Sequence, residues 1–355
     1  MALDLARVEP LRVCLIKPSS LGDVVHALPV LSSLRARWPQ AHIAWVVNKG
    51  LRALVEGHPD LDEVVPFDRG AAKVSPRGVA NIASFLAGLR RLRFDLVIDL
   101  QGLLRSGVMT LATGAPVRVG LAEAREGAAR AYTHRVTTVP GPRHMVDRML
   151  LVADALGARV TTPRFTLPAR PEATAWAEER LAPVPRPRFI LNVGARWTTK
   201  RWPPEHFAEL ARRAFEDFGA GLVAVGAAED RPLVNDLKRA LGPRPILDLA
   251  GATNLPQLAA VAKAGDLFLS NDTGPLHLAL AAGARVVALF TCSDPAKTGP
   301  YSPEARVVAT RVWCAGSLIK QCSRLECMTE LTPDRAWPTV REQLRTAMEG
   351  GSSAA

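Results

Sequence analysis

Four polar turns in this chain carry residue types that could do chemistry, and each follows a short apolar run. The first is Lys17-Pro18-Ser19-Ser20-Leu21-Gly22-Asp23, which places a carboxylate at the start of a helix, where the helix dipole favours negative charge. The second spans Asn192 to Pro203 (NVGARWTTKRWP), where small residues lead into a point charge, Lys200, and a guanidinium fork, Arg201, a combination suited to a diphosphate. The third, Gly226-Ala227-Ala228-Glu229-Asp230, offers carboxylates that accept hydrogen bonds from ribose hydroxyls. The fourth is Ser270-Asn271-Asp272-Thr273-Gly274-Pro275. There Thr273 and Gly274 present N–H groups and a hydroxyl to an anion, Gly274 permits close approach, and Pro275 fits a first helical turn. His277 follows on that turn, within reach of a phosphate or a sugar hydroxyl. Spacing alone leaves a second reading open at each site: Asp23, Glu229, Asp272 or Thr273 as plain helix caps, and the Lys200 loop as a solvated basic surface.

These turns need a parallel sheet to position them, since ligands gather at the carboxyl ends of parallel strands. The pattern supplies one. Apolar runs at Leu11 to Lys17, His42 to Val47, Glu63 to Phe67, Phe94 to Leu100 and Val117 to Gly120 alternate with helical spacing after Asp23, over Arg77 to Leu92, over Gln101 to Leu111 and over Met145 to Leu156. Ala122 to Pro142 reads as an irregular basic segment. A second series follows, with strands at Phe189 to Val193, Gly221 to Val225, Pro245 to Leu249, Leu267 to Leu269 and Arg285 to Phe290. Its helices are expected at Pro204 to Phe218, Arg231 to Leu241, Leu255 to Ala264, Leu276 to Ala282 and Pro333 to Met348. Prolines break the pattern between the two series, around one short helix near Ala173 to Leu181. The expected layout is therefore a first α/β domain over 1–160, a Pro-rich linker over 161–187, a second α/β domain over 188–331, a terminal helix over 332–349 and a disordered tail over 350–355. Two α/β halves set their strand ends across a cleft, where two substrates can meet.

Composition narrows the function. At 355 residues, with a hydrophobic fraction of 48%, the chain can fill two cores, and a net charge of +11 attracts anions such as nucleotides, phosphorylated glycolipids or an acidic bilayer. Nucleic acid is disfavoured: aromatics make up 5%, with 2 Tyr, and no basic run is interleaved with them. Five cysteines, an odd number in a long chain, argue against a secreted disulfide framework. Cys314, Cys322 and Cys327 lack C-x-x-C spacing and a nearby His, so they are expected as buried thiols rather than zinc ligands. The first residues lack a signal-peptide pattern and no apolar run reaches the ~18 residues of a membrane helix, which predicts a cytoplasmic protein able to rest on a membrane surface. Neither the G-x-G-x-x-G of dinucleotide folds nor the G-x-x-x-x-G-K-[ST] of a P-loop is present after the first strand, which weighs against nicotinamide chemistry and nucleotide hydrolysis.

Taken together, VCLIKPSSLGDVVHALPVL over 13–31, GARWTTKRWP, SNDTGPLHLALAAG and the late segment CSRLECMTELTP resemble the lipopolysaccharide heptosyltransferase family, glycosyltransferase family 9. The resemblance covers nearly the whole chain, and the form of its first turn is nearest to the branch that adds the first heptose. It departs from the family pattern at Pro18, and the basic segment Arg118 to Arg148 matches no acceptor motif. What the resemblance implies is a GT-B architecture of two Rossmann-like domains, the first for a lipid-linked or phosphorylated sugar acceptor at the inner membrane's cytoplasmic surface, the second for an ADP-heptose donor. It further implies inverting transfer without metal or cofactor, with Asp23 as general base and Ser20 and Gly22 shaping its turn. Lys200 would contact the donor phosphates, Glu229 the ribose, and Asp272, Thr273, Gly274 and His277 would line the donor site. The chemistry is consistent: displacement at an anomeric carbon needs one base, and a nucleoside diphosphate leaves well if its charge is stabilised. A glycosidase's paired carboxylates, ~5 to 9 Å apart, are not required. No D-x-D lies between the halves, and Lys200 with a helix N-terminus can do a cation's work.

Overall fold

The structure, a computed structural model, describes residues 4–70, 75–141, 144–159 and 161–351. The chain divides into two compact units, Met1–Ala169 and Arg170–Ala355. The first carries strands β1 (Arg12–Ile16), β2 (His42–Asn48), β3 (Glu63–Phe67), β4 (Leu96–Asp99), β5 (Val117–Leu121) and β6 (His134–Val136), with helices α1 (Leu21–Arg37), α2 (Pro76–Arg91), α3 (Leu104–Thr113) and α4 (Met145–Ala155). All its strands run parallel, in the order β3-β2-β1-β4-β5-β6. The second unit carries strands β7 (Arg188–Asn192), β8 (Gly221–Val225), β9 (Ile246–Asp248), β10 (Leu267–Asn271), β11 (Val286–Phe290) and β12 (Arg306–Ala309), again parallel, in the order β12-β11-β10-β7-β8-β9. Its helices are α5 (Pro171–Leu181), α6 (Pro204–Phe218), α7 (Arg231–Leu241), α8 (Leu255–Ala264), α9 (Gly274–Ala281), α10 (Pro295–Thr298), α11 (Glu326–Glu330) and α12 (Pro333–Gly351). Read from its own first strand, each sheet therefore has the doubly wound order 3-2-1-4-5-6, with its topological switch point between the first and fourth strands.

The central strands are apolar on both faces because helices cover both. Val13, Cys14, Leu15 and Ile16 of β1 are fully buried, as are Phe268 and Leu269 of β10. Helices in turn show one apolar face: α6 buries Phe207, Ala208, Leu210, Ala211 and Ala214 and ends at Gly219, whose φ of 63° is the left-handed conformation of a C-terminal cap. Each large apolar side chain so buried contributes ~1.5–3 kcal/mol over leaving it exposed. α1 continues through Pro29, which removes one hydrogen bond from its middle, because the helix is buried along its length by Val24, Val25, Leu28, Leu31 and Leu34.

Several sequence expectations change here. Ala122 to Pro142 is not wholly irregular: it holds a 3-10 turn (Ala128–Ala131) and β6, an edge strand too short and polar to show an apolar run, while Pro142 lies outside the described residues. Within the Pro-rich stretch 161–187, α5 is packed on α8 inside the second unit. The terminal helix extends to Gly351, so residues 350 and 351 are helical rather than tail, and 352–355 lie outside the described residues. α12 packs on α6 and buries Ala336, Val340 and Leu344 in the second core. Cys327 is buried as expected, but Cys314 is only half-buried and Cys322 is exposed, because both sit in an irregular loop with no sheet to cover them.

Candidate active site

In the second unit the switch point lies between β7 and β10, and paired side chains stitch their carboxyl ends together. Asn192, at the end of β7, donates from Nδ2 to Ser270 Oγ (2.8 Å) and Thr273 Oγ1 (3.2 Å). Asn271, at the end of β10, returns the link by donating to Val193 O (2.9 Å) and accepting from Trp202 N (3.2 Å). Asn271 thus satisfies backbone groups that would otherwise be orphaned where the strands stop, and Asn192 ties the hydroxyls beside it, so the two amides fix the loops together.

Onto that frame the loops bring four polar side chains. Asp272 is 4% exposed and turned inward, where Lys200 Nζ and Ser293 Oγ both donate to its Oδ2 and His277 Nε2 lies 3.8 Å from its Oδ1. Burial alone would raise the carboxyl's pKa. The nearby His277, the charge and hydrogen bond of Lys200 and the Ser293 hydroxyl outweigh it and hold the group at about 2. Lys200 is supplied by a 3-10 turn, Thr198–Lys200, whose middle residue is clamped twice: Thr199 O accepts from Thr291 Oγ1 (2.6 Å) and Thr199 Oγ1 donates to Ile319 O (2.7 Å). The Lys200 ammonium also lies 5.0 Å from the centre of the Trp197 ring.

No side chain caps α9. Its N-cap, Thr273, is extended and makes no capping hydrogen bond, its hydroxyl accepting instead from Asn192. The positive end of α9 thus opens beside the ammonium of Lys200, an arrangement that binds anions through N–H groups and charge together. Of the two residues that spacing leaves open as ordinary caps, Thr273 takes the N-cap position without a capping side-chain bond, and Asp272 turns to Lys200 and Ser293 instead. At the neighbouring strand end, Glu229 is exposed in the 3-10 turn Ala228–Asp230. Asp230 folds inward, accepting from Ala227 N (2.9 Å) and lying so close to Gly194 that a Cβ there would come within 2.3 Å of its carboxyl. A side chain at 194 would therefore have to displace the Asp230 carboxylate. Arg201 is turned back on its own loop, with Nε donating to Ala195 O (2.6 Å).

In the first unit the switch point lies between β1 and β4. Asp23 sits on the first turn of α1, where its Oδ2 accepts from both Ser20 N (2.9 Å) and Ser20 Oγ (2.6 Å), so that two residues of the predicted turn close the start of the helix. Gly22 is buried in the same turn. The other oxygen, Oδ1, faces the buried Lys17 Nζ at 3.8 Å, while the carboxylate keeps a third of its surface exposed. Burial pushes the Asp23 pKa up, but Lys17, the two Ser20 hydrogen bonds and His26 pull it below the usual carboxylate range. It is an ionised, accessible acceptor.

Sequence reading missed the support behind this turn. Gln101 Oε1 accepts from Ser19 N (3.3 Å), and Asp99 anchors the β4 end by accepting from Gln101 N (2.8 Å), Gly102 N (3.0 Å) and Tyr132 Oη (2.7 Å). Burial raises the pKa of Asp99 despite those donors, and it raises that of the Tyr132 phenol. Ser293 was missed as well: it belongs to the loop after β11, and only the strand order brings it to Asp272. Among the described residues, no group of three His, Cys, Asp or Glu side chains is placed to hold a metal, and no helix is long and apolar enough to cross a membrane.

Comparison with known proteins bears on the family and the fold. The model of glycosyltransferase family 9 (heptosyltransferase) matches residues 82–328. Lipopolysaccharide heptosyltransferase 1 of Pseudomonas aeruginosa is 31% identical over 321 residues, covering 88% of each chain. Lipopolysaccharide core heptosyltransferase OpsX of Haemophilus influenzae is 26% identical over 302 residues, covering 84% of each. Among solved structures, a family 9 glycosyl transferase from Veillonella parvula superposes with a TM-score of 0.79 at 23% identity, covering 98% of this chain and 99% of that one. The Escherichia coli heptosyltransferase WaaC with ADP-2-deoxy-2-fluoro heptose superposes with a TM-score of 0.73 at 25% identity, covering 93% of this chain and 99% of that one.

Proposed function

Because this chain belongs to glycosyltransferase family 9, and is a glycosyltransferase, we propose that it moves a heptose from ADP-heptose to a lipopolysaccharide inner-core acceptor, with inversion and without a metal. The observation that carries the reading is the Lys200–Asp272 pair beside the uncapped start of α9 at the second switch point. A departing nucleoside diphosphate carries its new charge on phosphate oxygens, and an ammonium with open helix N–H groups is the complement of that charge. The relatives support the choice of donor and acceptor class: they are lipopolysaccharide heptosyltransferases by name, and one is solved with a fluorinated ADP-heptose. The branch that adds the first heptose is the one favoured by the SSLGDVVHALP form.

In this mechanism the acceptor hydroxyl gives its proton to the Asp23 carboxylate as its oxygen forms a bond to the anomeric carbon. The bond from that carbon to the β-phosphate oxygen breaks on the opposite face, and its electron pair leaves with ADP. A carboxylate below its usual pKa is a weak base, so proton transfer comes late, once the attacking oxygen has become acidic. Lys17 keeps Asp23 ionised for that moment, and Ser20 fixes one of its oxygens. Lys200 and the start of α9 hold the diphosphate, Asp272 orients Lys200, His277 helps fix Asp272, and Glu229 is assigned to the ribose. No cofactor is assigned a step.

The test is a transfer assay with ADP-heptose and a panel of defined acceptors, run beside Asp23→Ala. Wild-type protein should transfer to a phosphorylated inner-core acceptor, and the variant should lose transfer while still binding ADP. Absence of transfer to every acceptor, or substantial turnover by the variant, refutes the reading.

A further inference from the structure

α3 buries one side against its own unit and leaves the other bare. Ser106, Gly107, Met109, Thr110 and Thr113 are buried, with Gly107 so close to the 3-10 turn after β5 that a Cβ would come within 3.0 Å of Ala128 Cα. On the outer side Leu104, Val108 and Leu111 are 57%, 42% and 52% exposed. Their i, i+4, i+7 spacing makes a single stripe, ~10 Å long at 1.5 Å per residue. A lone exposed leucine is ordinary, whereas an ordered apolar stripe on a helix marks a surface that meets something.

Arginines frame the stripe. Arg105 is exposed on the flank of α3, its guanidinium 5.9 Å from the Phe67 ring centre. Arg90 lies over the far end, where a Cβ on Gly114 would come within 1.7 Å of its Nη1. Arg125 is tied to the near end, with its backbone N donating to Gly102 O (2.8 Å), and its side chain is exposed. The carboxylate nearby, Glu126, accepts from Leu104 N (3.1 Å) at the start of the helix. An apolar strip edged by cations on a chain of net charge +11 is complementary to an anionic bilayer, whose headgroups take the arginines and whose acyl boundary takes the leucines.

The stripe also begins next to the chemistry. Leu104 is three residues past Gln101, whose side chain holds Ser19 in the turn that carries Asp23. We propose that the outer face of α3 seats the first unit on an anionic membrane surface, so that a lipid-linked acceptor reaches Asp23 without leaving the bilayer. This rests on the acceptor class argued under the proposed function.

The test uses the full chain and vesicles of phosphatidylethanolamine with phosphatidylglycerol, against vesicles of phosphatidylcholine alone. Wild-type protein should co-sediment with the anionic vesicles, and combined Leu104→Ser, Val108→Ser and Leu111→Ser should lower that binding about tenfold or more. The variant should keep transfer to an acyl-free acceptor fragment, which also shows that it is folded. In a separate variant, Val108→Trp, the indole emission in excess of wild type, whose seven tryptophans are subtracted, should shift to the blue when anionic vesicles are added. Unchanged vesicle binding by the triple variant, or no blue shift, overturns the proposal. So does a concentration-dependent dimer that the triple variant abolishes while vesicle binding is absent, which would assign the face to a second copy of this chain. Vesicle binding is read without any sugar, whereas failure of the proposed function appears as no transfer to the acyl-free fragment.

Discussion

Replacing Asp272 by Asn separates charge from shape at the donor-side cluster. The substituted amide keeps the size of the carboxylate and can still accept from Ser293, but it offers no countercharge to Lys200. The native carboxyl is held at about 2 against an ordinary 3.8. At about 1.4 kcal/mol per pH unit, that depression makes ionised Asp272 worth ~2–3 kcal/mol to the folded state. Because the folded value is the depressed one, this stabilisation is complete above the unfolded pKa near 4 and fades as pH falls through 2. Roughly half should remain at pH 3. At pH 7 the variant should therefore unfold at lower urea and melt about 5–10 °C lower, for a unit of this size. Urea unfolding followed by tryptophan fluorescence at pH 7, 5 and 3 reads the effect. Equal stability at pH 7, or a gap between wild type and variant that widens from pH 5 to pH 3, refutes the electrostatic account.

Lys200→Ala should weaken ADP binding about tenfold or more in calorimetry, since it removes the charge beside the open start of α9, and an unchanged affinity would contradict the placement of the diphosphate. For wild-type transfer, the acid limb of kcat/KM should fall below the ordinary carboxylate range: Asp23 must be ionised, so activity persists as pH drops until its depressed pKa is reached. An acid limb at pH 6 or above would point to a different base.

The central strands and long helices were readable in the residues because burial on both faces leaves an unbroken apolar run, as in VCLI of β1 and LVAV of β8. Two of the four edge strands, β6 and β12, were not, although β3 and β9 at the opposite margins were. β6 is His134–Val136 and β12 is Arg306–Ala309, and strands at a sheet margin carry polar and exposed residues that break the pattern. At the candidate sites, the residues themselves were visible from their position after strands, but their relations were hidden. Asp272 finds Ser293 and Lys200 through strand order, at separations of 21 and 72 residues. Spacing could not show that Asp272 faces inward as an anchor for Lys200, nor that Asp99 and Tyr132 support the Asp23 turn. Of the three late cysteines, Cys327 is buried as expected, whereas Cys314 and Cys322 lie in a loop whose exposure no periodicity reports.

The cap on α1 has a consequence for how position 23 can vary. A helix that starts with serine is ordinarily closed three residues later by glutamate or glutamine, whose longer side chain reaches back to the N-cap. Here Asp23 does that task with one oxygen and leaves the other toward Lys17. One added methylene would preserve the cap and displace the free oxygen, so the change that helix stability tolerates most readily is the one that chemistry resists. Loss of the carboxylate, by contrast, removes a helix cap and the proposed base together. Drift at this residue is thus checked from two directions by demands that act through different atoms of the same group.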